Sequence, residues 1–194
     1  MARLSEIKVT FSPWGAISEA DRRRAALVTG HLISRLDYVT DWRLQKSYYL
    51  AEVWSIEERL CRLSNVEFAS WTHGPWSLHV REAEETLEAE GLIVRVRQRA
   101  RRRPEAEFLR ITEGTELPAI AESEEEFLDS FASQIKYVGG ETLTKIAKAT
   151  SPFQTTKPEH LVDLDGYLQA LQKKHDRFTR SRKVARLISQ AKAE

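Results

Sequence analysis

Apolar positions recur at helical spacing along most of this chain and switch to alternation in one interval, which predicts a mainly α-helical α+β fold with one principal β-hairpin. Ser18 and Asp21 resemble a capping box, and Ala25, Val28, Leu32 and Leu36 then mark a helix ending near Asp37. Asp41 is placed to cap a second helix running to about Leu63. There Trp42, Tyr49, Val53, Ile56 and Leu60 form one stripe, while Leu44, Tyr48, Ala51 and Trp54 make the flank apolar too. A helix apolar on more than one side belongs in the centre of a domain. Lys46 falls on that stripe, and an ammonium there must snorkel outward, meet a carboxylate or mark a contact site.

The passage from Phe68 to Gly91 packs Trp71, His73, a Gly74-Pro75 corner and Trp76 ahead of a further helix. Proline suits the first helical position, so that helix is expected to begin at the corner, with Trp76, Val80, Ala83 and Leu87 as its apolar stripe and Gly91 as its C-terminal cap. Its other face carries Glu82, Glu84, Glu85, Glu88 and Glu90. After Gly91 the pattern alternates: Leu92, Val94 and Val96 are expected to face inward and Ile93, Arg95 and Arg97 outward, with a second strand from Phe108 to Thr112. The connection holds Arg99, Arg101, Arg102, Arg103 and Pro104. A helix, a strand, a basic tip and a second strand read as a winged-helix-like module with the hairpin as its wing. An acidic linker over residues 113–123, helices carrying Phe127, Phe131 and Ile135 and then Leu143 and Ala147, and a last helix capped by Asp163 complete the order. Residues 1–17, where Ile7, Val9 and Phe11 alternate, read as an N-terminal arm, residues 18–155 as the main domain, and residues 156–194 as a basic helical extension.

Composition narrows the class. The 194 residues are 41% hydrophobic and 30% charged, the profile of an ordered globular protein. A single cysteine, Cys61, rules out an intrachain disulfide, and with no apolar run of about 18 residues and no secretory leader pattern the expected setting is cytoplasmic, without a membrane. The net charge of +1 hides a division: Glu113 to Asp129 holds seven carboxylates and no cation, whereas Arg95 to Arg103 and Lys173 to Lys192 are basic.

Catalytic signatures are missing. The histidines form no helical zinc pair, and G-x-S-x-G, G-x-x-x-x-G-K-S/T and G-x-G-x-x-G do not occur. His73 has no partner visible in sequence that would make it a general base. The expectation is a binding protein rather than an enzyme, with no cofactor.

Leu44-Gln45-Lys46 followed by Tyr49-Leu50-Ala51, the Phe68 to Pro75 passage, and the later Gly140, Leu143, Ala147, Pro152 and Phe153 resemble the Panacea antitoxin domain, also called the SocA-like domain, over roughly residues 25–155. The chain departs from that family's usual pattern at His73, at Trp76 and in its arginine-rich hairpin. The resemblance implies an antitoxin of a toxin–antitoxin system that binds a cognate protein toxin, or an adaptor that delivers its partner to a protease. Tryptophan anchors interfaces more often than most residues, so Lys46, Trp71, His73, Trp76, Glu84, Glu85 and Glu88 are the candidate partner-binding residues. Arg97, Arg99, Arg101, Arg102 and Arg103 are the candidate nucleic-acid contacts of the alternative, a DNA-binding regulator. Against that alternative stands the glutamate-rich face of the helix before the wing, where phosphates would be repelled.

Overall fold

The computed structural model of the protein describes residues 14–100 and 103–176, without the side chains of residues 99, 100 and 103–105. The fold is α+β and mainly helical, with two small two-stranded antiparallel sheets. Ser18 caps α1 (Glu19–Arg35) by accepting from the Asp21 amide at 3.1 Å. Thr40, one residue before the expected cap, does the same for α2 (Asp41–Arg59) through the Arg43 amide at 3.2 Å. That helix stops earlier than its apolar pattern predicts, because Leu60 adopts a left-handed conformation with φ 53°.

The corner is where the sequence reading and the structure part. Ala69–Trp71 (β1) and Gly74–Trp76 (β2) form a tight hairpin, and α3 (Leu78–Ala89) begins only after it. Pro75 and Trp76 are therefore extended, not the first turn of a helix. Gly91, at φ 73°, supplies the expected left-handed turn after α3. The second hairpin, β3 (Ile93–Ala100) with β4 (Arg103–Ile111), lies where alternation placed it, but its faces are reversed. Ile93 and Leu109 are buried while Val94 is exposed, and Arg95 shares the inner face. Val39 makes a β-bridge to Leu109, with the Leu109 amide donating to the Val39 carbonyl at 2.7 Å, and this contact fixes which face turns inward.

The remaining helices are α4 (Glu122–Ile135), α5 (Gly140–Ala149), the short α6 (Ser151–Gln154) and α7, residues 164–176. At the start of α7, Asp163 accepts from the Gly166 amide at 2.7 Å, as its capping role predicts. Helix α2 is the centre of the molecule, and every residue from Arg43 to Val53 is buried. Around it pack α1, α3, α4 and α5, with α3 also lying along α1. Residues 156–176 belong to the same body: Val162 and Leu164 are buried, and Arg62 reaches Asp165 at 2.7 Å. The N-terminal arm up to residue 13 and the basic tail from residue 177 lie outside the described residues.

Candidate functional site

A central helix that buries polar side chains must give each a partner, because an unpaired polar group in the interior costs about 1–3 kcal/mol. In α2 Arg43, Gln45 and Lys46 find theirs in irregular backbone, whereas Glu52 is met by the Arg62 and Ser64 side chains. Arg43 donates to the carbonyls of Ile135 at 3.0 Å and Lys136 at 2.6 Å, closing the end of α4. The Gln45 amide grips Ser77 in both senses, donating to its carbonyl at 3.0 Å and accepting from its amide at 2.8 Å. Next along the helix, Lys46, only 1% exposed, donates to the Pro75 carbonyl at 2.6 Å and lies 4.2 Å from the centroid of the Trp42 ring. The L-Q-K segment and the G-P-W segment are thus two halves of one device, in which Gln45 and Lys46 hold the hairpin that the corner makes.

Gly74 is required within it. Its φ is 91°, and an added Cβ would sit 3.3 Å from the Thr144 methyl and 3.4 Å from Lys46 Cε. From the other side Lys148 of α5 donates to the Thr72 carbonyl at 2.5 Å. Trp42, expected in the core stripe, is 42% exposed instead and donates to Thr144 Oγ1 at 3.3 Å. The exposed His73 packs against it with centroids 5.7 Å apart. Burial, with the Lys148 charge adding to it, pushes the Lys46 ammonium down to about 7.

The register Ala69↔Trp76, Ser70↔Pro75, Trp71↔Gly74 makes Trp71 and Trp76 diagonal neighbours on one face of the hairpin. They stack at 4.9 Å with an interplanar angle of 12°. Trp14 packs edge-on against Trp76 at 5.0 Å and lies 6.2 Å from Trp71. All three tryptophans are half-buried, so the cluster is neither core nor free surface. The outer edge of β1 is covered, since Ser70 exchanges backbone bonds with residues 159 and 160.

The acidic face of α3 is partly paired within the chain, one arginine serving three carboxylates. Glu84 is 2% exposed and bonded to Arg95, which also reaches Glu88 at 2.9 Å and Asp41 at 2.9 Å. As a surface contact Glu84 is corrected, because the inward turn of Arg95 consumes it. Burial first, and the Asp41 carboxylate second, push Glu84 up to about 7, while the surrounding carboxylates hold the Arg95 guanidinium firmly charged. Glu85 is exposed and paired with Arg81 at 2.9 Å. Arg97 is exposed and donates to Glu107 at 2.8 Å. The side chains of Arg99 and Arg103, and residues 101 and 102 entirely, lie outside the described residues.

Among the described residues no group of three His, Cys, Asp or Glu side chains is placed to hold a metal ion, and no helix is long and apolar enough to cross a membrane. Cys61 is half-buried, with its sulfur 3.8 Å from Ser55 Oγ. The hairpin gathers a stacked indole pair, an aromatic ledge at Trp42 and His73, and two lysines at its tip. No protein-family model, curated protein or solved structure matches the chain. Sequence reasoning passed over Trp14 and Lys148, and read Gln45 only as part of the Leu44-Gln45-Lys46 string. Trp14 sits among turn residues and Lys148 on an ordinary amphipathic helix, so neither carries a local signal.

Proposed function

We propose that this protein is an antitoxin that neutralises a cognate protein toxin by direct binding through the β1–β2 hairpin. The observation that carries the reading is the Trp71–Trp76 stack, half-exposed on a hairpin that Gln45, Lys46 and Lys148 hold rigid. Large aromatic rings presented without loss of conformational freedom are the usual anchors of protein interfaces. The order α1, Val39 bridge, α2, α3, β3, β4 supports reading the frame as winged-helix-like, with the first hairpin inserted before α3. Delivery of a bound toxin to a protease would use the same hairpin and a second contact elsewhere.

A DNA-binding regulator is the second reading, favoured by the wing-like hairpin and the arginines around its tip. Helix α3 disfavours it, since Glu82, Glu85, Glu88 and Glu90 lie along the helix that a winged helix would set in the groove. The test is expression of the adjacent open reading frame alone and together with this chain. Toxicity that the wild-type chain relieves is expected, with Trp76→Ala weakening the complex by about 2 kcal/mol while the circular dichroism spectrum is kept. A harmless neighbour, or a Trp76→Ala variant that binds and protects as well as wild type, would overturn the reading. Retention of a short duplex at physiological salt would favour the regulator instead.

A further inference from the structure

We infer that the tip of the β1–β2 hairpin, bounded by Lys148, His73 and the Trp42 ring, is an acceptor site for a carboxylate from an acidic segment of the protein partner. The inference rests on the proposed toxin-binding role for the identity of that partner, but the site can be read without it. Most other half-buried cations that enclose the described core have an acid. Arg24 has Glu124, Arg35 has Glu125 and Asp129, Arg62 has Glu52 and Asp165, and Arg95 has three carboxylates. The two lysines at the tip have none: among the described residues no carboxylate pairs with Lys46 or Lys148, and each ammonium donates to a neutral carbonyl.

A backbone carbonyl takes one of the three protons of an ammonium, and for Lys46 the Trp42 ring face takes the place of a counter-ion. The Lys148 charge, joined below about pH 7 by that of Lys46, therefore converges on one four-residue turn where no described carboxylate pairs with either. Lys46 is too buried to touch an incoming group, and its role is the field it adds. Lys148 is only half-buried and can reach one. Beside it, the exposed His73 and the 42% exposed Trp42 supply a ledge that displaces water, which strengthens an ion pair formed there. A short acidic segment suits this ledge better than a polyanion. Asp41 precedes Trp42 in sequence and Glu141 follows Gly140, where an added Cβ would lie 3.6 Å from Trp42 Cδ1, so a long phosphate backbone crossing the ledge would run into more negative charge than a short segment does.

The test uses the full chain labelled with 15N and titrated with an amide-capped peptide of alternating glutamate and leucine. The same peptide with glutamine for glutamate, inorganic phosphate and a short DNA duplex form the parallel arms. Shifts confined to Thr72, His73, Gly74, the Trp42 indole and Lys148 are expected with the glutamate peptide, reduced about tenfold in affinity by Lys148→Glu and kept by Lys148→Arg. Equal binding of the glutamine peptide, no shifts at the tip, or tighter binding of phosphate or duplex there would overturn the site. A toxin that needs Trp76 yet binds Lys148→Glu as well as wild type would overturn this inference and leave the proposed function standing. A tip that takes the glutamate peptide in a chain that binds no toxin would overturn the function and leave the site.

Discussion

Lys46 is an ammonium that the fold buries with a carbonyl and an indole in place of an anion. In the unfolded chain a lysine titrates near ~10.4, and here burial lowers it to about 7. Between those values the unfolded state holds a proton that the folded state has released. Stability should then rise with pH from about 7 to about 10, and the burdened charged form should prevail below that window. Replacing Lys46 by methionine removes this slope. Urea denaturation at pH 6, 8 and 9.5 should show the methionine variant gaining most, relative to wild type, at pH 6. A difference between the two proteins that stays constant with pH would mean that Lys46 remains charged throughout.

At the level of elements, periodicity and capping residues made α1, α2, α3 and α4 legible, together with the existence of the β3–β4 hairpin. What sequence could not show was set by contacts distant along the chain. Proline before an amphipathic stretch looks the same whether it opens a helix or closes a strand. Here Gln45, more than thirty residues upstream, holds Ser77 extended and postpones the helix. Likewise, Val94 and Val96 suggest one inner face, and the Val39 bridge to Leu109 selects the other. Arg95 then becomes the clamp between the start of α2 and the length of α3. Arg95→Ala should destabilise the protein by about 3 kcal/mol at pH 8, since it strands the buried Glu84 carboxylate. The loss should shrink at pH 5, where Glu84 takes up a proton, so thermal melts at the two pH values check both the size and the sign. Among the candidate contacts, Trp71, His73 and Trp76 were visible as residue types out of place. Lys148 was not, because its importance lies only in what it faces.

Over the whole molecule, the last described helix is a brace and not an appendage. Arg62 bonds the buried Glu52 at 3.0 Å and Asp165 of α7 at 2.7 Å, while Tyr167 donates to Glu57 at 2.7 Å. Val162 donates to the Phe68 carbonyl at 2.7 Å, which ties the same segment to the approach to β1. A chain ending at residue 161 keeps the Arg62–Glu52 pair but loses the bonds of Val162, Asp165 and Tyr167 together with the buried Val162 and Leu164. It should melt at least about 10 °C lower, given roughly 2–4 °C per kcal/mol for a protein of this size. Differential scanning calorimetry measures this, and an unchanged melting temperature would mean that α7 adds nothing to the body it covers.

The lysine bonds that shape the hairpin tip end on the carbonyls of Thr72 and Pro75, and every amino acid supplies a carbonyl. Substitutions at Thr72 and His73 can therefore accumulate without undoing the turn. A lineage carrying this scaffold can drift at those two positions and acquire a new partner while the framework residues Gln45, Lys46 and Gly74 stay fixed.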